Sequence, residues 1–494
     1  MPAATELAWR SLFSAGFIEE AWKPVSRLEI RAGLRIESTN GWNEAQGRAS
    51  NYDFTNGVIN TTPTVGNSAL SDNRAKFLPE PRIGFAYDLF GNAKTAIKGS
   101  FGAHRALLDT LDYRLDQTAP FNTTLSYSNT TVSKLAQLST ATATGGLVSP
   151  SNVQRDIQTP TVLSWTFKIE QEIAPGTALT VGYVGSHGYH QILSEDQNTP
   201  VESVNSAGEA YYPTTTFANP LLANSTSWVS QGVSNYNALE VDVRHQLVHG
   251  FQLRGVYTWS KNLDDGSAWN TSVSSNTPAF VSNPNFPKVD YGLAATNIGQ
   301  ALAVNGSWEI PAGQGHLFLR NASSFENRAV SGWTLSGIVT AQSGFPFSPQ
   351  LGYNPTGNGD SRNPARPELN PNFSGVRLPK TVAQWFNPNA YLAPTPGTFG
   401  NTGRDSLTGP GLTDADVSLV KNLSIHEKAR AQFRAEYFNV LNHTNLTTPN
   451  AVVFSTGPTP AKPATLAALS PTAGIVTATA TTSRQLQFAL KFLF

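Results

Sequence analysis

The chain has 494 residues, in which 34 lysines and arginines balance 34 aspartates and glutamates, so its formal charge is zero. This balance argues against a nucleic-acid partner, which would favour a basic surface. Charged residues make up only 14% of the chain, well below the roughly 25% of an ordinary soluble domain. Cysteine is absent, which excludes disulfides, thiolate metal sites and a cysteine nucleophile.

Short runs of alternating apolar and polar residues follow one another along the chain, and this period of two predicts β-strands. The first hairpin covers residues 12–37, with a turn at 23–26 and a first arm that is less regular than the second. Further strands are predicted around residues 83–89, 97–101, 163–169, 179–183, 239–243, 251–259, 302–308, 333–339, 414–424, 428–440 and 484–494.

The last of these strands shows most clearly what its two faces need. Leu486, Phe488, Leu490, Phe492 and Phe494 alternate with mostly polar residues. In a soluble protein a second layer would have to cover such an apolar face, whereas in a membrane barrel the lipid itself covers it. Charged residues in the clear strands keep to the opposite phase, as they do in any half-buried sheet: these are Lys98, Lys168, Glu170, Glu240, Asp242, Arg244, Arg254 and Glu309.

The connections between the strands decide between these two possibilities. Short turns alternate with long polar stretches, at residues 38–79, 105–160, 190–235, 262–298, 343–412 and 441–483. Loops beyond about 12–15 residues are uncommon in compact soluble domains, but outer-membrane barrels have short periplasmic turns and long extracellular loops. We therefore predict an all-β fold, a transmembrane antiparallel β-barrel with about thirteen strands.

The count of strands is odd, and the first and last strands run in the same direction. Because bacterial single-chain barrels usually have an even number of strands, we expect further strands upstream, as in the 22-stranded plugged transporters. No stretch of roughly 18–20 apolar residues predicts a transmembrane helix. The first ten residues lack the basic start and apolar core of a signal peptide.

Several stretches resemble the barrel end of TonB-dependent outer-membrane receptors, with most similarity to the Oar-like group of acidobacteria. Near the end of the chain these are residues 399–411 (FGNTGRDSLTGPG), 416–422 (DVSLVKN), 432–439 (QFRAEYFN) and 442–445 (NHTN). Residues 16–22 and 255–261 also resemble that group. The similarity extends over most of the chain, but only over the barrel part of the family.

The resemblance implies that residues 1–494 are the C-terminal part of a 22-stranded barrel, without its N-terminal half, plug domain and signal peptide. The intact receptor would import a bulky extracellular ligand (a siderophore, cobalamin, a glycan or a peptide) across the Gram-negative outer membrane. Its partners would be outer-membrane lipid, the barrel-assembly machinery and, in the intact receptor only, the inner-membrane energy-coupling complex. The fragment alone is not expected to transport. The alternatives are an Oar-like adhesion or structural protein, a porin-like barrel without energy coupling, and a secreted soluble β protein.

Candidate sites for other chemistry are weak. Two histidine pairs, His187 with His190 and His245 with His249, lack a third ligand at a convincing spacing. The run 354–362 is similar to a calcium loop but lacks its closing carboxylate, and 264–266 is a plain acidic turn. There is no G-x-S-x-G or phosphate-loop motif. We expect neither an enzyme nor a cofactor.

Aromatic residues carry two more expectations. Four tryptophans on the apolar phase fit an interfacial aromatic girdle better than sugar-stacking platforms: Trp165, Trp259, Trp308 and Trp333. The resemblance implies that the terminal aromatics Phe492 and Phe494 are an assembly signal that the barrel-assembly machinery reads.

Overall fold

The computed structural model describes residues 5–108, 114–127, 131, 146–248, 250–266, 280–362, 365–426 and 429–493. Thirteen long strands form one antiparallel sheet, in which each strand pairs with the next along the chain. They are β1 (Phe13–Val25), β2 (Leu28–Thr39), β3 (Leu78–Asp88), β4 (Thr95–Arg105), β5 (Thr161–Ala174), β6 (Thr177–Glu195), β7 (Thr226–Val248), β8 (Phe251–Asp264), β9 (Gln300–Glu309), β10 (Trp333–Gln342), β11 (Leu412–His426), β12 (Ala429–Phe438) and β13 (Gln485–Leu493). The predicted number of strands is confirmed.

The apolar face of the sheet is uncovered, and we call it the outward face. Large side chains on it are open along the whole sheet, for example Ile83, Phe167, Trp259 at 61% exposure and Phe488 at 62%. A soluble protein rarely leaves so extensive an apolar surface bare. The prediction of a transmembrane barrel wall is therefore confirmed, because lipid supplies the missing layer.

The opposite, inner face carries charges that pair across strands. Lys98 on β4 reaches Glu170 on β5 at 2.5 Å, and Arg254 on β8 reaches Asp242 on β7 at 2.7 Å. These pairs are partly exposed, so each contributes little stability by itself. Their consistent placement shows that the inner face is wet and the outward face is apolar.

One inner ion pair spans three strands. Lys168 on β5 and Glu240 on β7 both lie opposite Gly182 on β6, and the lysine Nζ is 2.8 Å from the carboxylate. The lysine stem crosses directly over the glycine, because a Cβ at residue 182 would lie only 2.7 Å from Lys168 Cγ. Glycine at this position makes the crossing possible.

The connections have different lengths at the two ends of the sheet. At one end β1 is followed by β2 after residues 26–27, and β5 by β6 after 175–176. The loops at the other end are L1 (40–77), L2 (106–160), L3 (196–225), L4 (265–299), L5 (343–411) and L6 (439–484). The predicted alternation is confirmed. We call these ends the short-turn end and the long-loop end.

Two boundaries differ from the prediction. The loop expected at 190–235 is shorter, because β6 continues to Glu195 and β7 starts at Thr226, and the two strands pair as far as Glu195 and Ser227. This extension follows register shifts between Gly188 and Leu193 and contains polar residues, so hydrophobic alternation does not reveal it. The first turn is also later than the predicted 23–26, since β1 continues to Val25.

The long loops contain the buried core of the molecule. One cluster joins L5 and L6 around Phe386 and Val453, and another joins L1, L2 and β7 around Leu115 and Trp228. Within the described residues, the short strands other than the thirteen long ones are Trp9–Arg10, Asn43–Glu44, Ala49–Asn51, Phe54–Thr55, Val58–Ile59, Thr64–Gly66, Leu125–Ser126, Leu147–Val148, Ser151–Val153, Ser203–Val204, Ala210–Tyr211, Gly292–Leu293, Pro346–Phe347, Gln350–Leu351, Glu368–Leu369, Tyr391–Leu392, Leu407–Thr408, Val452–Thr456 and Ala468–Leu469. The loops therefore form a packed layer.

Helical structure is minor. The described residues include two 3₁₀ turns, Pro287–Asp290 and Pro388–Ala390, and the α-helix α1 (Ser324–Val330) in the connection between β9 and β10. None of the helices in the described part of the chain is long and apolar enough to cross a membrane.

The two ends of the strand order, β1 and β13, are not paired with each other in the described structure. Every residue of β1 is exposed. Its outward phase includes Glu20, which lies opposite Ala32, so the segregation of charge seen in the other strands is weaker at this edge.

Candidate functional site

The long-loop end contains a cavity of about 430 Å³ between L3, L4 and L5. Cavities of this size accommodate small-molecule ligands. Its wall mixes amides and hydroxyls with aromatic and aliphatic groups, among them Thr199, Asn283, Phe286, Asn354, Phe399 and Asn401. The geometry of this site depends on three acidic residues in L3, in L4 and at the end of β8, and on three arginines in L5.

Asp196 starts L3 directly after β6 and is almost completely buried. Its Oδ1 accepts hydrogen bonds from the backbone N–H of Ser225 at 2.8 Å and from that of Asn198 at 3.1 Å. Its Oδ2 accepts one from Asn224 Nδ2 at 2.5 Å. Burial raises the pKa of Asp196, an effect that the guanidinium of Arg362 opposes. The carboxyl group therefore ties both ends of L3 together.

Arg362 connects L5 to this point. Its Nε and Nη2 donate to the two carboxylate oxygens of Asp360 at 2.8 and 2.9 Å, and its Nη1 donates to Thr226 Oγ1 at 2.6 Å. Its guanidinium lies 4.1 Å from the ring centre of Phe280 and 3.5 Å from Asp196. In the stretch similar to a calcium loop, the carboxylate of Asp360 thus faces an arginine.

Arg366 binds Asp290 in L4, and both side chains are buried. The arginine Nη1 donates to the carboxylate at 2.6 Å. The backbone N–H of Ser282 donates to the other oxygen at 2.6 Å, and the Ser282 hydroxyl donates as well. The carboxylate is therefore held in a low-dielectric site in which removing one partner is costly.

Arg404, whose side chain is fully buried, completes the set. It donates to the backbone carbonyl of Asp290 at 2.6 Å, to the carboxylate of Asp264 at 2.5 Å and to Asp405 at 3.2 Å. Asp264 ends β8, so this arginine fixes L5 to the sheet itself. We call Arg362, Arg366 and Arg404 the arginine clamp.

Sequence reasoning missed the arginine clamp as a unit. The partners that link L5 to other parts of the chain are far away in sequence: Asp290 is 76 residues from Arg366, and Asp264 is 140 residues from Arg404. No local spacing connects them. Arg404 lies inside the 399–411 stretch that carries the family resemblance, and Arg362 ends the 354–362 run. The acidic turn at 264–266 is part of the same network through Asp264.

The histidine pairs have ordinary partners. His187 Nδ1 is 2.8 Å from Asn235 Oδ1, and His245 Nδ1 is 2.8 Å from Thr177 Oγ1. His190 has a positive φ of 56° at the irregular part of β6, and His249 lies outside the described residues. Within the described residues, no group of three His, Cys, Asp or Glu side chains could hold a metal ion.

The aromatic candidates occupy the outward face. Trp165 and Trp259 lie toward the long-loop end of β5 and β8, and Trp308 and Trp333 lie at the short-turn end of β9 and β10, which is the arrangement of an aromatic girdle at each interface. The candidate assembly residue Phe492 is exposed on this face of β13. Phe494 lies outside the described residues.

A family model described as "Outer membrane beta barrel domain" matches residues 2–487. No curated protein matches the chain. Among solved structures, similar chains include the siderophore receptor PirA from Acinetobacter baumannii, with 9% identity, a TM-score of 0.42 and coverage of 88% of this chain and 42% of that one. The outer membrane transporter YddB from Escherichia coli has 10% identity, a TM-score of 0.47 and coverage of 98% and 54%. The chain thus spans about half the length of these structures.

Proposed function

The chain belongs to the outer membrane beta barrel domain family, and we propose that it is the barrel part of a TonB-dependent receptor that imports a bulky extracellular ligand. The protein is located in the outer membrane. Residues 399–445, which resemble the barrel end of such receptors, support the Oar-like assignment. The ligand would be taken up at the long-loop end, since long loops are extracellular in this class of barrel.

The observation that carries the proposal is the cavity between L3, L4 and L5. It opens in the packed loop layer and is framed by buried arginine–carboxylate contacts. A rigid frame of this kind keeps polar and aromatic groups in position before the ligand arrives, which reduces the entropy lost on binding. A loop layer that served only as a solubilising surface would not need such buried charges.

We propose that further strands, outside residues 13–493, complete the wall, as in the 22-stranded receptors. Both β1 and β13 run from the long-loop end to the short-turn end, so direct closure between them would need a parallel pair. Bacterial barrels avoid this with an even number of antiparallel strands. In the intact receptor a plug and the inner-membrane energy-coupling complex would then drive import.

The test is the accumulation of labelled ferric siderophores, cobalamin and oligosaccharides in cells with and without the gene. Uptake of one of these is expected to need the gene and to stop when an uncoupler collapses the proton-motive force. Gene-dependent uptake that ignores the uncoupler would favour a porin-like barrel. Gene-dependent adhesion without any uptake would favour the adhesion protein.

A further inference from the structure

The connection between β9 and β10, residues 310–332, differs from the other connections at the short-turn end. It is much longer than turns such as 26–27 and 175–176, and it contains helix α1. Ser323 and Glu326 form a capping box at the start of this helix. The segment is therefore an ordered structure with a surface of its own.

Its contacts place it on the outward side of the wall. Trp333 Nε1 donates to the carbonyl of Ala329 at 2.8 Å, and Lys421 Nζ donates to the carbonyl of Ser331. Trp333 and Lys421 lie opposite each other on β10 and β11, and both belong to the outward phase that includes Leu335. The end of the segment, next to helix α1, therefore contacts side chains on the membrane-facing side of these strands.

The segment exposes large apolar side chains. Leu317 is 69% exposed, Leu319 60% and Phe325 84%. Their segment joins the ends of β9 and β10 that carry Trp308 and Trp333, and these two tryptophans mark the short-turn end of the outward face. At this level a barrel meets the interface of the inner leaflet, where aromatic and amphipathic groups are stable.

The formally charged groups of the segment are two arginines and one glutamate. Arg320 and Arg328 are exposed, and neither has an ion-pair partner among the residues that the structure describes. The carboxylate of Glu326 accepts a hydrogen bond from the backbone N–H of Ser323 at 2.7 Å, so it is engaged at the helix start. Basic groups beside inserted apolar groups are the combination that binds anionic lipid headgroups.

We propose that residues 310–332 are an interfacial anchor that binds the inner leaflet of the outer membrane. Leu317, Leu319 and Phe325 insert below the headgroups, and Arg320 and Arg328 contact the phosphates of anionic phospholipids. The inference depends on the outer-membrane location and is independent of transport.

The test uses the absence of cysteine from the chain. Phe325→Cys is labelled with an environment-sensitive fluorophore in the full chain and reconstituted into phosphatidylcholine vesicles with and without phosphatidylglycerol. Ser26→Cys, in the exposed 26–27 turn at the same end, is the matched control. The label at 325 is expected to show a blue-shifted emission, quenching by nitroxide-labelled lipid and protection from iodide. The label at 26 is expected to show the emission of an aqueous site, little quenching by that lipid and quenching by iodide.

The charge requirement is tested in the same vesicles. Lipid quenching at 325 is expected to increase with phosphatidylglycerol, and the double change Arg320→Gln, Arg328→Gln is expected to abolish that increase. An iodide-accessible label at 325 in both vesicle types, in protein whose heat-dependent gel mobility shows an intact wall, would overturn the proposal. Exposure in vesicles combined with protection in native outer membranes would also overturn it, and would assign the surface to a periplasmic protein.

Discussion

The buried pair between Arg366 and Asp290 offers the sharpest test of the loop layer. In Arg366→Met the carboxylate of Asp290 stays buried without this cation, and the two Ser282 donors remain among the described residues. Removing one member of a buried pair costs about 3–5 kcal/mol. Since about 1.4 kcal/mol corresponds to a factor of ten, the open state of L5 should become at least about a hundredfold more populated than in the unchanged protein.

Hydrogen exchange measured by mass spectrometry on the protein in detergent or nanodiscs reads this directly. Peptides from L5 and L4 are expected to exchange faster in Arg366→Met, while those from β10 and β11 keep their rates because no ladder bond is touched. Arg74→Met is the matched control: its pair with Asp72, at 3.0 Å, is about half exposed, so its loss should cost at most about 1 kcal/mol.

A second variant separates the lost charge balance from lost packing. In Arg366→Met, Asp290→Asn the buried charge is gone, and the amide oxygen can still accept from Ser282. Neutral replacement of a buried pair is often tolerated, so the double variant should recover most of the protection in L5. Unchanged exchange in the single variant, or a double variant as exposed as the single one, would refute the reasoning.

Three further outcomes follow from other parts of the chain. Gly182→Val should push Lys168 from its path to Glu240 and destabilise the wall by about 1–3 kcal/mol through overpacking. The folded band on gels should then disappear at a lower temperature. Burial raises the pKa of Asp265 to about 6, so the folded state holds a proton that the unfolded state loses near its ordinary pKa of about 3.9. Stability therefore falls as pH rises from about 4 to above 6. In thermal melts of the loop layer, Asp265→Asn should add at most about 3 kcal/mol at pH 8, which is about 1.4 kcal/mol for each of the roughly two pKa units, and almost nothing at pH 4. Phe492→Ala together with deletion of the last residue should reduce the amount of protein inserted in the outer membrane, measured by fractionation and immunoblot.

Each of these outcomes has a control in the same chain. Gly255→Val should be tolerated, because its Cβ would make only ordinary contact with Val304 at 3.7 Å. Asp72→Asn changes an exposed acid and should change the stability of the loop layer by at most about 1 kcal/mol, because exposed ion pairs contribute little. Gln487→Ala, on the inner phase of β13, should insert normally. Equal effects of a test variant and its control would contradict the corresponding mechanism.

Local pattern was enough to predict the wall. The alternation from Leu486 to Phe492, and the placement of Lys98 and Glu170 on the other phase, depend only on the period of a strand. That signal disappears where the sheet extends into polar sequence, so the ends of β6 and β7 were misplaced. Hydrophobic alternation identifies residues that face lipid, and the long-loop ends of β6 and β7 do not face lipid.

The candidate site could not be predicted in the same way. Arg366 and Asp290 are 76 residues apart, and Arg404 and Asp264 are 140 apart. Each arginine alone is indistinguishable from a solvated loop charge, and their pairing depends on how L3, L4 and L5 pack. Only the resemblance around residues 399–411 indicated that this part of the chain is special, and it did not indicate the partners.

The two layers of the molecule obtain their stability from different sources. The wall is stabilised by interstrand hydrogen bonds and by lipid on its outward face, and its inner ion pairs are weak. The loop layer is stabilised by buried apolar clusters around residues such as Phe386 and Trp228 and by the arginine clamp.

A perturbation should therefore act on one layer at a time. Arg366→Met should alter exchange in the loops without affecting gel mobility, while the change at Phe492 should reduce insertion without affecting the loops of the molecules that do assemble. Coupling of both readouts in either variant would mean that the loops and the wall fold as one unit.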